Sequence, residues 1–146
     1  LENNTITVRL AGPDDLDYVS RDGYVLPEII QRKINLSEVF LLTVNKVPAG
    51  YLRLEYLWSS IPYIALIWID EDFRGCGYSH NILAYVENHL REQGNDKLYS
   101  SSQVDEPEPQ AWHRHMGFVE CGIINGINEN GIGEVFFRKT PGKPQA

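Results

Sequence analysis

The chain has 146 residues, of which 42% are hydrophobic, and a net charge of −7. That length and apolar content suit one domain with a real core and exclude a disordered chain, while the acidic balance disfavours nucleic acid as a partner. No apolar stretch reaches the roughly 18 residues needed to cross a bilayer, and no basic and apolar leader opens the sequence as given, so neither a membrane partner nor a secretory signal is expected.

In chain order, Thr5 to Leu10 alternates apolar and polar side chains and reads as a first strand. Gly12-Pro13-Asp14-Asp15 is a helix-start signal leading into Leu16 to Val19. Leu26 to Lys33 reads as a second short helix, and Glu38 to Val44 as a strand. Asn45 to Gly50 is read as the turn into the next strand, Tyr51 to Leu57. Trp58 to Pro62 turns again, and Tyr63 to Ile69, apolar throughout, is predicted as a central strand. A helix is expected from Tyr78 to Gln93, with Ile82, Leu83, Val86 and Leu90 on one face, stopped by Gly94-Asn95-Asp96. Lys97 to Ser102 is a fifth strand and Pro107 opens a fourth helix. Phe118 to Ile124 and Gly133 to Lys139 are a closing pair of strands, followed by a tail at 141–146, frayed from Thr140. The class is mixed α/β, with a single domain over residues 1–140.

Between the fourth strand and the third helix lies Asp70-Glu71-Asp72-Phe73-Arg74-Gly75-Cys76-Gly77-Tyr78-Ser79. A glycine-bearing loop at a helix start offers unpaired main-chain N–H groups and the positive end of the helix dipole, so its natural ligand is a phosphate or pyrophosphate. A P-loop is excluded because no Gly-Lys-Ser or Gly-Lys-Thr occurs. The dinucleotide fingerprint is excluded because its third glycine would fall on His80. Alone, Gly75-Cys76-Gly77 is as readily a tight turn.

Arg74 to Ser79 resembles the acyl-CoA pyrophosphate loop of the GNAT superfamily of N-acetyltransferases, whose pattern is Q/R-x-x-G-x-G/A. Farther along, Ala111-Trp112-His113-Arg114-His115-Met116-Gly117-Phe118 resembles the second signature of that superfamily, a helix ending in a Gly-Phe or Gly-Tyr pair. The resemblance runs from Ile6 to Lys139. It implies a mixed central sheet of about six or seven strands flanked by about four helices. It implies acetyl-CoA (coenzyme A) as cofactor, held by Arg74, Gly75, Cys76, Gly77, Tyr78 and Ser79, with main-chain groups of Ile67, Trp68 and Ile69 beside the pantetheine arm and the thioester. The implied activity is transfer of an acetyl group to a primary amine of a small molecule or peptide. The competing reading is a catalytically weak module of the same fold that binds acyl-CoA as a sensor or interaction partner.

A lysine-like amine has a pKa of about 10.4, so presenting it neutral at pH 7 costs roughly 4.6 kcal/mol, and a proton acceptor should be at hand. Glu55 on the third strand and Glu134 on the last are the candidates, either as base or as amine binder. Many enzymes of the superfamily place a tyrosine general acid four residues before the glycine of the Gly-Phe pair; here that position is His113. An imidazole of pKa about 6.5 is about one quarter protonated at pH 7 and could donate to the leaving thiol. It is equally readable as a helix-end histidine hydrogen-bonded locally. Asp70, Glu71 and Asp72 read as a solvated turn, and Trp58, Trp68 and Trp112 as core or cleft-wall packing. His113 and His115 splay apart at i, i+2 on a helix, so no metal is expected. Cys76 and Cys121 sit in no C-x-x-C pair, which excludes a disulfide framework and leaves free thiols in a reducing cytoplasm as the expectation. Edge strands at the C-terminal end make a homodimer an expectation.

Overall fold

The computed structural model describes residues 3–142. Seven strands are joined in the order β1-β2-β3-β4-β5-β7-β6: β1 (Ile6–Leu10), β2 (Val39–Val44), β3 (Val47–Leu57), β4 (Ile61–Ile69), β5 (Leu98–Gln103), β6 (Val119–Ile124) and β7 (Glu134–Lys139). Four helices accompany them: α1 (Leu16–Val19), α2 (Pro27–Asn35), α3 (Tyr78–Glu92) and α4 (Pro107–His115). The β4–β5 pair is parallel; β1–β2, β2–β3, β5–β7 and β6–β7 are antiparallel. The expected mixed sheet with about four helices is therefore the one found.

The chain divides into two compact units, Leu1–Glu55 with Ala65–Val86, and Tyr56–Ile64 with Glu87–Ala146. In the first, strand alternation sends Val39, Leu41 and Tyr51 into a core with Val19, Ile30 and Ile34 of α1 and α2. Phe40 points the other way and meets Tyr85 of α3 edge-on at 6.1 Å. In the second, Leu98, Ser100 and Ser102 of β5 are buried while Tyr99, Ser101 and Gln103 are half-exposed. Val135 and Phe137 of β7 share the buried side. β6 is the sheet edge and is exposed along its whole length.

Two turns are tighter than the sequence suggests. Asn45 and Lys46 both have positive φ (51° and 68°), as a two-residue hairpin turn requires, so β3 begins at Val47 rather than Tyr51. Pro48 is tolerated inside the strand because the register shifts at Leu42/Thr43, a bulge that relieves the ladder of one N–H. Trp58 and Ser59 repeat the device (φ 50° and 62°), bringing Ile61 and Pro62 into β4. Trp58 is left 87% exposed, not packed in a core or cleft wall. Residues 143–146 of the expected tail lie outside the described residues. Gly142 is not frayed: its N–H donates to Glu87 at 2.9 Å and its carbonyl accepts from Arg91 at 3.2 Å.

Candidate active site

In the first unit the end of β4 is fixed from several directions. Asp70 is no solvated turn residue: it accepts from the Tyr18 hydroxyl (2.8 Å), the Trp68 indole (2.9 Å) and Arg21 (3.2 Å). Burial, then Asp70 itself, pushes the Tyr18 phenol well above its ordinary pKa, so it stays a donor. Trp68 stacks on Tyr51 at 6.1 Å, and the Tyr51 hydroxyl donates to Asp22 at 2.7 Å. Arg53 meets Asp22 with two bonds of 3.1 and 3.0 Å, both side chains sealed from solvent (3% and 0% exposed). Burial pushes the Asp22 carboxyl up, but the bonds from Arg53 and Tyr51 outweigh it and hold the pKa below its usual range. Gly50, read from sequence as turn, lies within β3, where a Cβ would stand 2.5 Å from the Trp68 carbonyl oxygen. Only glycine permits that approach.

Beyond Ile69 the chain makes one 3-10 turn, Glu71–Phe73, and then the expected loop. The Arg74 Nε donates back to the Ile69 carbonyl at 2.8 Å, which ties the loop to the strand end. Gly75 and Gly77 have φ of 76° and 81°, a conformation natural to glycine, and beyond their own chain neighbours no atom stands within 4 Å of where either Cβ would be. Tyr78 then starts α3, so the loop delivers its main-chain N–H groups at a helix N-terminus of 15 residues. Ile67 to Ile69 and Arg74 to Ser79 thus lie in one continuous strand-loop-helix passage of this unit. Glu55 is engaged elsewhere: its carboxylate takes Lys33 at 2.7 Å and is 55% exposed.

In the second unit the Gly117-Phe118 pair has a backbone reason. Gly117 (φ 91°) sends its N–H to the Arg114 carbonyl, and Phe118 sends its own to the His113 carbonyl, closing α4 by a Schellman motif. Such a stop favours contact between the residues at C3 and C″, and the His113 and Phe118 rings stand 5.3 Å apart. His113 is buried, with its ring parallel to Phe137 at 4.5 Å. Its Nδ1 lies 2.7 Å from the Pro109 carbonyl, which can only accept, so Nδ1 carries the proton. Nε2, 2.7 Å from the Ser100 hydroxyl, is then the acceptor in the neutral ring. Burial is the main force lowering this pKa; the Pro109 bond and the Glu134 charge oppose it. The geometry is that of the locally bonded helix-end histidine, with both ring nitrogens engaged.

Glu134 is on the opposite side of the sheet from His113. Its Oε2 accepts from the Ser101 hydroxyl at 2.6 Å and its Oε1 from Asn128 at 2.8 Å. The Tyr63 hydroxyl stands 2.5 Å from Ser101 Oγ, and its ring lies 5.9 Å from that of Phe136. Tyr63, Ser101 and Asn128 carry no sequence signal for a site; strand alternation alone could have set Ser101 apart from Ser100. Ser102 Oγ is buried and has no hydrogen-bond partner among the described residues.

Residues 12–118 match the acetyltransferase (GNAT) family, and the chain belongs to it. No curated protein sequence matches the chain. Among solved structures, a GNAT-family acetyltransferase from Bacillus cereus is similar over 95% of this chain and 99% of its own, with a TM-score of 0.80 and 20% identity. The ribosomal-protein-S18-alanine N-acetyltransferase of Escherichia coli covers 97% of each chain with a TM-score of 0.76 and 15% identity. The structure of yncA from Salmonella typhimurium with its cofactor acetyl-CoA has a TM-score of 0.77 and 14% identity over 97% of this chain and 96% of its own. At these identities the likeness is one of fold.

The residues present fit the cofactor the family uses. The open, left-handed positions of Gly75 and Gly77 leave room for a bulky anion against the main chain at the start of α3. When bound, acetyl-CoA would supply the activated acyl group as a thioester.

Proposed function

We propose that this chain is an N-acetyltransferase that moves an acetyl group from acetyl-CoA to the primary amine of a small molecule or peptide. The observation that carries the reading is the Arg74–Ser79 passage into α3, with its two open glycine positions. Main-chain N–H groups there would take the diphosphate, and backbone of Ile67, Trp68 and Ile69 would line the pantetheine arm and donate to the carbonyl oxygen as charge develops. Glu134 is the proton acceptor in this reading. Its carboxylate is half-exposed and held by Ser101 and Asn128, whereas Glu55 already neutralises Lys33. His113, whose two nitrogens are both engaged, serves by holding α4 on β5. A polypeptide α-amine is the first acceptor to try, because a neighbour of the same fold is named for the alanine of a ribosomal protein. The exposed thiols of Cys76 and Cys121 suit a reducing compartment, here taken as the cytoplasm.

The test is release of free thiol from acetyl-CoA against a panel of amines, including short peptides. Turnover with at least one amine is expected. A second reading, an acyl-CoA-binding module without turnover, is favoured by the sealed histidine at the position where many family members carry a tyrosine acid. Tight binding of acetyl-CoA with no thiol release on any amine would select it.

A further inference from the structure

Asp70 stands just past β4 and directly before the 3-10 turn, a place where an aspartate side chain commonly caps the turn. Here it makes no such bond, and its two oxygens serve other residues of the same compact unit. Oδ1 takes the Trp68 indole at 2.9 Å, while Oδ2 takes the Tyr18 hydroxyl at 2.8 Å and Arg21 at 3.2 Å. Tyr18 is held in turn by Tyr51, edge to face at 5.7 Å, and by Arg21 over its ring at 4.9 Å. Three unlike donors thus converge on one side chain, and an ionised carboxylate is the group that accepts at both oxygens.

The peptide joining Ile69 to Asp70 is gripped at both ends. Its N–H donates to the Ala49 carbonyl of β3 at 2.9 Å, and its C=O accepts from Arg74 Nε at 2.8 Å. The Asp70 carbonyl takes the Phe73 N–H at 2.9 Å, which starts the turn that brings Arg74 back to the strand end. The plane of this peptide therefore sets where Arg74 sits, and the tethered Asp70 side chain, rooted on the adjoining Cα, limits its rotation. Among the described residues Nε is the only guanidinium nitrogen of Arg74 that is bonded, so the two terminal nitrogens keep their donors for an anion. We propose that Asp70 is a positioning residue for the cofactor: by fixing the Ile69–Asp70 peptide it aims the Arg74 guanidinium at the diphosphate, an inference that rests on the acetyltransferase reading above. Arg74 touches the ligand and Asp70 acts through it. The ion pair with Arg21 offsets the Asp70 charge, so a carboxylate is tolerated next to an anion-binding loop.

The test is a double-mutant cycle read by calorimetry of the intact protein with coenzyme A. Wild type, Asp70→Asn, Arg74→Ala and the double variant are compared, each affinity being corrected for the folded fraction measured in urea. In Asp70→Asn one oxygen becomes an amide nitrogen that cannot accept, so the peptide is loosened while the side-chain shape is kept. Asp70→Asn should weaken coenzyme A binding about 10-fold beside Arg74 and less than about 2-fold in the Arg74→Ala background, because residues acting through one another are not additive. Tyr18→Phe, which removes a single bond to Asp70, should follow the same pattern with a loss of about 3-fold. With an accepted amine, KM for acetyl-CoA should rise in step while kcat at saturation stays within about 2-fold. Equal affinity in wild type and Asp70→Asn, the same loss in both Arg74 backgrounds, or a fall in kcat with KM unchanged overturns the positioning role and leaves the acetyltransferase reading standing. Absence of coenzyme A heat in wild type overturns the acetyltransferase reading, and the positioning role with it.

Discussion

Ser100 and Ser101 are neighbours in sequence, yet the pleat of β5 sends them to opposite sides of the sheet with different consequences. Ser100 points under α4, where it donates to a buried imidazole packed between Phe118 and Phe137. Ser101 points to the half-exposed side, where it links a phenol to a carboxylate. Both bonds are short and both join a serine to a titratable partner. The surroundings differ: the first pair is buried, so its hydrogen bonds rigidify, while the second is half-exposed. The hydroxyl beside the buried histidine belongs to the scaffold, whereas the one beside Glu134 holds the carboxylate proposed above as proton acceptor.

The comparison breaks most sharply on the sealed side. His113→Ala removes a stacked ring and strands the Ser100 hydroxyl; about 3 kcal/mol of unfolding free energy should be lost in urea, with coenzyme A binding by the folded fraction retained. On the open side the sign of the effect inverts. Glu134→Gln is expected to leave the urea midpoint nearly unchanged and to lower kcat at pH 7 about 100-fold, equal to about 2.7 kcal/mol of barrier. A stability loss matching that of His113→Ala would place Glu134 in the scaffold instead.

The two sides should also differ in their response to acid. Burial lowers the His113 pKa from its ordinary 6.5, so the unfolded chain takes up a proton before the folded one as pH falls. Its contribution is therefore complete above about pH 6.5 and is lost on descending through the lowered folded value. The His113→Phe variant should show a flatter dependence of unfolding free energy on pH between about 5 and 7 than wild type. The same variant decides the catalytic question: kcat against pH should keep its wild-type shape, and loss of a limb of the profile would return His113 to the chemistry. The smallest effect is expected for Ser100→Ala, about 1 kcal/mol, because His113 keeps its Pro109 bond.

Much of the fold was legible because its signals are local. Alternation gave the strands, and Pro107 and Gly117 bracketed α4 as a helix start and a Schellman stop. The Arg74–Ser79 loop was legible for the same reason: the helix start, the glycines and the arginine are contiguous. The hairpin turns are shorter than their sequences suggest because Asn45, Lys46, Trp58 and Ser59 take positive φ without a glycine. Prolines 48 and 62 also stand inside strands, where sequence reading places turns. Asp70 looks solvated in the sequence because its partners Tyr18 and Arg21 lie 52 and 49 residues away. The Asp22–Arg53 pair and the Tyr63–Ser101–Glu134 chain are likewise products of tertiary register, and no spacing within the sequence announces them. Glu134 was within reach as a lone strand carboxylate; what distinguishes it from Glu55 is the company each keeps.

The whole functional account stands on the glycine loop at the start of α3. Isothermal calorimetry of the intact protein with coenzyme A, for wild type and for Gly77→Val, tests it most directly. A valine at φ 81° would strain the loop and crowd the open position, so the account predicts clear heat for wild type and at least about 10-fold weaker binding for the variant at equal fold stability. No heat with wild type, or equal affinity in both proteins, would contradict it.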